Sequence, residues 1–381
     1  MRKSIFLVIL SLILLFAITM PVFANPIDMH KQEERYEKAR VLKVIDLTAL
    51  ELSGMEGYTI QEQLVTVKVL SGDKKGETLE ITNTLSGSKG WDLEVKPNDK
   101  VILYEVIYED SSSEIFLFDM ARMPYLNYLI LFFVLSIIVI GGIRGIKSLV
   151  ALGLTILAIY KILLPALLKG SSPILITILI LMLVTLMTML IIAGFTKKSI
   201  SATLGTIGGV IVAGILALLI GDLAHLTGFA TEESRMLLHV DGLSIDMQGL
   251  LFAGIIIGAL GATMDVAMSI ASSIEEVKKA NPSLSAQELM RAGMNVGRDI
   301  MGTMTNTLIL AYTGGALPLL ILYLAYDTTA IQIFNSELIA TEIVRAIAGS
   351  IGLVFSVPIT AFIASILANR QSHHELNAHY E

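Results

Sequence analysis

The sequence predicts an α-helical polytopic membrane protein of about seven transmembrane helices, preceded by a small extracytoplasmic β-barrel-like domain. Three features predict it. A basic and then apolar leader opens the chain. A stretch of about a hundred residues comes next, acidic overall and containing short alternating segments. The rest is a series of apolar runs near the length of a membrane span. Of 381 residues, 54% are hydrophobic and only 16% are charged, against roughly 25% in a soluble domain. The charge is unevenly placed. Asn25 to Pro124 holds 12 Lys/Arg and 19 Asp/Glu, whereas Tyr125 to Ser372 holds 13 of each, most of them bunched between apolar runs.

These numbers exclude whole classes of function. A wholly soluble protein is ruled out. Nucleic-acid binding needs a basic surface, and the one soluble segment is acidic. The chain has no cysteine, which excludes disulfides, Cys-ligated zinc, iron–sulfur clusters and thiol catalysis. No nucleotide-binding loop occurs, and no cofactor is expected.

Residues 1–24 read as a secretory signal. Arg2 and Lys3 precede an apolar run from Ile5 to Met20, closed by Pro21-Val22-Phe23-Ala24. The run is long enough that an uncleaved anchor is the alternative; in either case the residues after Ala24 are exported.

Residues 25–124 form the β-domain. Gln63 to Leu70 alternates apolar and polar, as a strand with one buried face does. Glu77 to Ile81, Val101 to Val106 and Glu114 to Met120 read as further strands, separated by Gly/Asn/Asp turns at 71–76 and 96–100. Four to six short strands suggest a small barrel or sandwich of OB or SH3-like size.

Residues 125–372 form the membrane domain. Seven apolar spans run about Tyr125–Ile143, Ser148–Leu168, Pro173–Phe195, Ile200–Gly221, Met247–Ser273, Asp299–Ala325 and Ile343–Ala368. Each matches the roughly 20 residues needed to cross about 30 Å of hydrocarbon. Arg144, Lys147, Lys197, Lys198, Lys278, Lys279, Arg291, Arg298 and Arg370 then fall on one side, against Lys169 and Arg235 on the other. The positive-inside rule places the β-domain outside and the carboxyl terminus in the cytoplasm. The internal loop 275–298 holds a helix from Ser285 to Met294 with a Ser285-x-x-Glu288 capping box. Residues 373–381 are a cytoplasmic tail.

An ionisable group in hydrocarbon costs at least about 2.5–3.5 kcal/mol, so each one needs a reason. Asp265 lies roughly 15 Å deep in the fifth span, at 1.5 Å per residue. Steps of three and four align it with Gly261, Gly258 and Gly254 on one side and with Ser269, Ser272 and Glu276 on the other. Small residues let another helix approach closely. The sixth span carries a second row, Asp299, Thr303, Asn306, Leu310 and Thr313. Beyond it, Gly314, Gly315 and Pro318 interrupt the helix, and broken spans with exposed backbone groups are a common way to build a solute or ion site. We expect a substrate or ion site at Asp265, Ser269, Asp299, Thr303, Asn306 and Thr313, between the fifth and sixth spans, gated at Gly314, Gly315 and Pro318. Each feature also has a plainer reading. Asp265 can be a buried structural acid, Asp299 a helix N-cap, and Thr303 and Asn306 interhelical hydrogen-bonding groups. Lys161 can snorkel to the interface or face Asp265 as a counter-charge. The pairs Gly205/Gly209 and Gly254/Gly258 can be helix packing alone. His225, His239, Asp241 and Asp246 lack the spacing that puts two ligands on one helical face, so no metal is expected.

Three segments give the sequence a recognisable look: Gly261 to Ile270 (GATMDVAMSI), Gly297 to Leu308 (GRDIMGTMTNTL), and Glu342 to Thr360 with Gly349-Ser350-Ile351-Gly352 and Val357-Pro358-Ile359-Thr360. The chain resembles the YibE/F family of bacterial multi-pass membrane proteins over about Glu37 to Leu367. The resemblance implies a membrane protein with an exported N-terminal domain, classed as a permease on its topology. It supplies no catalytic or binding residues to carry over.

Two functions are consistent with these features. The first is an ion-gradient-coupled permease of an unknown small solute or ion. The second is a non-transporting scaffold or assembly factor whose β-domain binds an extracytoplasmic protein partner. An intramembrane aspartyl protease does not fit, because Asp265 and Asp299 lack the flanking motifs such enzymes resemble and lie at different depths; no enzyme is expected. The small-residue faces permit a homo-oligomer in the lipid bilayer.

Overall fold

A computed structural model of the chain describes residues 33–378 apart from 48–49, 52–58, 89, 109–111 and 241. The expected leader at 1–24 lies outside the described residues. The chain forms two compact units, one ending at Ser136 and the other beginning at Ile137.

The first unit is an antiparallel sheet of six strands: β1 (Glu33–Asp46), β2 (Leu50–Glu51), β3 (Thr59–Val69), β4 (Thr78–Leu85), β5 (Lys100–Ile107) and β6 (Ser113–Met120). The long β1 is the hinge of the sheet. Its first half pairs β5, with Ala39 opposite Val101, and its second half pairs β3 across an irregularity between Val41 and Lys43. Such a bulge adds twist and bends the strand. The order β4-β3-β1-β5-β6 then curls into a half-barrel, and β4 and β6, its two edges, come within contact distance of each other. Inside lie Ala39, Val41, Val65, Val67, Val69, Ile81, Val101 and Leu103. On β3 the inward set is Gln63, Val65, Val67 and Val69, the period of two read from the sequence.

Two buried acids plug one end of this core. Glu37 Oε1 accepts from the Asp73 amide at 3.2 Å. The turn can approach that closely because Gly72 has φ +75° and no Cβ to strike the carboxylate. Glu105 accepts from Lys74 Nζ at 2.5 Å. Burial pushes the Glu105 carboxyl up, but its hydrogen bonds to Lys74 and Ser113 outweigh that and hold it below the ordinary glutamate range.

The second unit is helical. The chain enters it along α1 (Met123–Ala158), which continues through a π-helical turn at Ile159–Leu163 into α2 (Leu164–Leu168). Then come α3 (Pro173–Ala193), α4 (Lys197–Leu223), α5 (Glu232–Met236), α6 (Met247–Ala280), α7 (Ala286–Gly315), α8 (Leu317–Ala325), α9 (Ala330–Asn335) and α10 (Glu337–Ala378). Among the described residues, five segments are long and apolar enough to cross a membrane: Met123–Leu168, α3, α4, α6 and α10 up to Asn369. Counting the bent pair α7–α8 as one span makes six. The expected first two spans are the single segment Met123–Leu168, broken at Gly142 (φ 54°, ψ −133°).

Helices α4, α6 and α10 pack on one another, with α7 laid against α6 and α10 and α3 against α4 and α6. Their core includes Met189, Ala202, Val266, Ile270, Leu353 and Val357. Alanine and glycine dominate the close approaches. Gly293 faces Ile274 and Ala361, and Gly297 faces Val357 and Ile270.

One expected boundary is corrected by the structure. The helix at Ser285–Met294 and the sixth span are one continuous helix, α7. The capping box forms as expected: the Glu288 amide donates to Ser285 Oγ, and the Ser285 amide donates to Glu288 Oε2 at 2.8 Å. Nothing then stops the helix before Gly315. Gly297, inside the helix, is a packing glycine seated on Val357. Asp299 therefore lies in mid-helix and is not an N-cap.

Candidate functional site

On α6, Asp265 is exposed on the surface of the single chain, in line with the exposed Gly254, Gly258 and Gly261 and the half-buried Ser269. The opposite side of the helix, with Ile256, Ala259, Thr263, Val266, Ala267 and Ile270, is the buried one. At 100° per residue these two sets are a half-turn apart. Among the described residues the Asp265 carboxylate makes no hydrogen bond or ion pair. Lys161 sits beside the ring of Tyr160, 5.2 Å from its centroid, and not against Asp265.

On α7, Asp299, Thr303, Asn306, Leu310 and Thr313 line the side of the helix turned away from the bundle, and all five are exposed. Thr303 and Thr313 spend their hydroxyl protons on their own helix, donating to the carbonyls of Ile300 and Ile309 at 2.9 and 2.8 Å. The helix packs through Gly293, Gly297, Met301, Met304 and Leu308 instead. That contact side lies a half-turn from the polar row.

The two rows therefore do not close on each other within one chain. Each forms the outward face of its helix. Sequence spacing tells which residues share a face but not what the face looks at. The glycines of α7 decide that by letting the helix settle into the groove between α6 and α10.

The expected break is present. Helix α7 ends at Gly315, Ala316 turns the chain, and α8 leaves at 57°. Pro318 sits at the start of α8, where its missing N–H costs nothing. Gly314, Gly315 and Pro318 all lie at this break, and both glycines are exposed.

Two further features escape a reading of spacing alone. The Tyr312 hydroxyl lies over Gly258, where a Cβ would come within 2.6 Å of it. Arg345 Nη1 donates to Glu342 Oε1 at 2.8 Å, one helical turn apart in α10, while its Nε is buried without a partner among the described residues. A charged i, i+3 pair at the head of an apolar run is the signal that could have found the Glu342–Arg345 pair.

The helical part matches the YibE/F-like protein family over residues 129–370, and the β unit matches the YibE/F family N-terminal domain over residues 34–115. The chain belongs to the YibE/F family. No curated protein and no solved structure matches it. In this YibE/F chain the smaller match lies within the first compact unit, the larger match covers most of the second, and the polar rows on α6 and α7 fall inside the larger match. The family gives these residues no role, so any role must come from their chemistry.

Proposed function

We propose that this chain is a permease of the bacterial plasma membrane, coupled to an ion gradient, that moves a small solute or ion along the polar face of α6 and α7. The reading takes the chain as seven spans, with the β unit outside and the carboxyl terminus in the cytoplasm. One observation carries it. Asp265 stands on the exposed face of a long apolar helix, in line with glycines and a serine. Facing lipid, that carboxylate costs at least about 2.5–3.5 kcal/mol, so the face must border protein or water. A second copy of the chain supplies the cover most economically. The α6 row of one copy then meets the α7 row of the other, and the Asn306 amide comes opposite the Asp265 carboxylate. The break at Gly315 places free backbone groups at the outer end of the same path.

The test is ion- and solute-driven flux in proteoliposomes with Asp265→Asn beside the wild type. Flux falls at least about a hundredfold in the variant, the loss typical of a missing proton-transfer group, while insertion and melting temperature stay unchanged. Wild-type flux in Asp265→Asn removes the site.

A second reading is favoured by the β unit. Tyr36 and Phe118 are 53% and 58% exposed and touch edge to face at 5.1 Å, with Tyr104 beside them. An outward aromatic patch suits a protein partner. A stoichiometric partner captured through this patch, with no flux for any solute, would favour a scaffold or assembly factor.

A further inference from the structure

A cavity of about 660 Å³ opens where α4 begins and α6 ends. Its size falls within the range of small-ligand sites. Lys197, Lys198, Lys278 and Lys279 line it, with Glu275 as the one acid in the lining. The single carboxylate does not use up these cations. Glu275 holds Lys279 at 2.9 Å and Lys198 at 3.5 Å, and Lys279 also reaches Glu276 at 3.0 Å. Lys278 donates to the carbonyls of Pro282 and Leu284, at 2.8 Å each, and to Asn369 Oδ1 at 3.4 Å, so it contributes its charge from the wall while its protons are already placed. The Lys197 side chain makes no hydrogen bond or ion pair among the described residues. The first-turn amides of Lys197 and Lys198 have no intrahelical acceptor and lie at the positive end of the α4 dipole. The floor is apolar, built from Ala271, Ile274 and Ala364.

We propose that this cavity binds a phosphate ester. Four ammonium groups around an apolar floor match a phosphate that carries an apolar or uncharged body, and their excess over Glu275 and the neighbouring Glu276 leaves room for about two negative charges. A phospholipid headgroup and a soluble phosphate share this chemistry. The site lies on the side of the basic loops and stands independently of the transport reading, since it uses none of the residues of the polar rows.

The experiment uses the full chain in two arms. In detergent, melting temperature is followed against inorganic phosphate at constant ionic strength. In nanodiscs, phosphatidylcholine alone is compared with phosphatidylcholine containing phosphatidylglycerol. A ligand of the folded state raises stability with the logarithm of its concentration. We expect saturable stabilisation in at least one arm, and the responding arm identifies the source. In Lys197→Gln/Lys198→Gln the affinity falls about thirtyfold, from the loss of two lysines near the anion. Arg291→Gln, a basic change outside the cavity, leaves it unaltered. No saturable response in either arm overturns the assignment. So does an equal response in the double variant, or an equal loss in Arg291→Gln, which would mark general surface charge. If the double variant fails to fold, Lys197→Gln alone carries the test, because its side chain breaks no hydrogen bond or ion pair among the described residues; an undiminished response there overturns the site.

Discussion

Three helices meet at Gly209. A Cβ at this position would lie 2.6 Å from the Gly352 carbonyl oxygen, 2.7 Å from the Thr263 methyl and 2.8 Å from the Ser356 Cβ. These neighbours come from α10, α6 and α10 again, and each is backbone or a buried side chain that cannot swing aside. Gly254 is the contrast. It has the same small-x-x-x-small spacing in sequence, yet nothing lies within 4 Å of its Cβ position. Gly209→Ala is therefore expected to destabilise the chain by about 1–3 kcal/mol, the usual cost of overpacking a tight core. Gly254→Ala gains helix propensity and meets no atom of its own chain, so the fold of the single copy is expected to be unchanged or stabilised by up to about 1 kcal/mol, and any loss falls on the contact between copies. Melting of the purified variants decides between them, and equal effects would mean that Gly209 does not sit at the closest approach of α4, α6 and α10.

At the level of elements, what was legible is what local chemistry fixes. The Ser285–Glu288 capping box, the end of α7 at Gly315 and the alternation of β3 each depend on residues near one another in the chain. The strand β1 was not legible. Its inward set, Glu37, Ala39 and Val41, includes an acid and an alanine, so the hydrophobic alternation that marks a strand is missing. Its place comes from long-range pairing with β3 and β5. The continuity of α7 was hidden too: Arg291, Arg298 and Asp299 mark a boundary by charge, and charge alone does not say that one helix runs across it. The segment Met123–Leu168 tests the span count. Run straight, its 46 residues would extend about 69 Å at 1.5 Å per residue, about twice the hydrocarbon thickness. Gly142, at φ 54°, breaks it, and Gly145 then packs onto the Ile137 backbone eight residues earlier. The break divides the segment into two lengths that each suit a span. Since the chain has no native cysteine, single cysteines at Ser88 and Ser171 report the sides directly. With two crossings between them, both react with a membrane-impermeant maleimide from the same side of the membrane. Labelling from opposite sides would mean that Met123–Leu168 crosses once and would sink the seven-span topology.

For the whole molecule the governing fact is that both polar rows look outward. A helical bundle in water can leave an aspartate and an asparagine on its surface without penalty. In a bilayer it cannot, because no solvent satisfies them. The rows differ: α6 presents a carboxylate with glycines beside it, and α7 presents the Asn306 amide between Thr303 and Thr313, whose hydroxyl protons are spent on their own helix, with the Asp299 carboxylate earlier in the row. On the proposed reading the rows close between copies, each giving its α6 to a neighbouring copy's α7. Gly254, Gly258 and Gly261 then serve the close approach that nothing within the chain uses at Gly254 and Gly261. Copies carrying only Ser269→Cys, co-expressed with copies carrying only Thr303→Cys under a different tag, are expected to form a disulfide-linked heterodimer on mild oxidation in native membranes. Copies carrying only Leu175→Cys, an exposed position on α3 away from both rows, do not crosslink to either. If the 269–303 pair stays monomeric while the protein runs as a single copy in native mass spectrometry, no second chain covers the face. Asp265 must then border water within the bilayer, and the dimeric form of the permease reading falls while the solute path along α6 stands to be tested by flux alone.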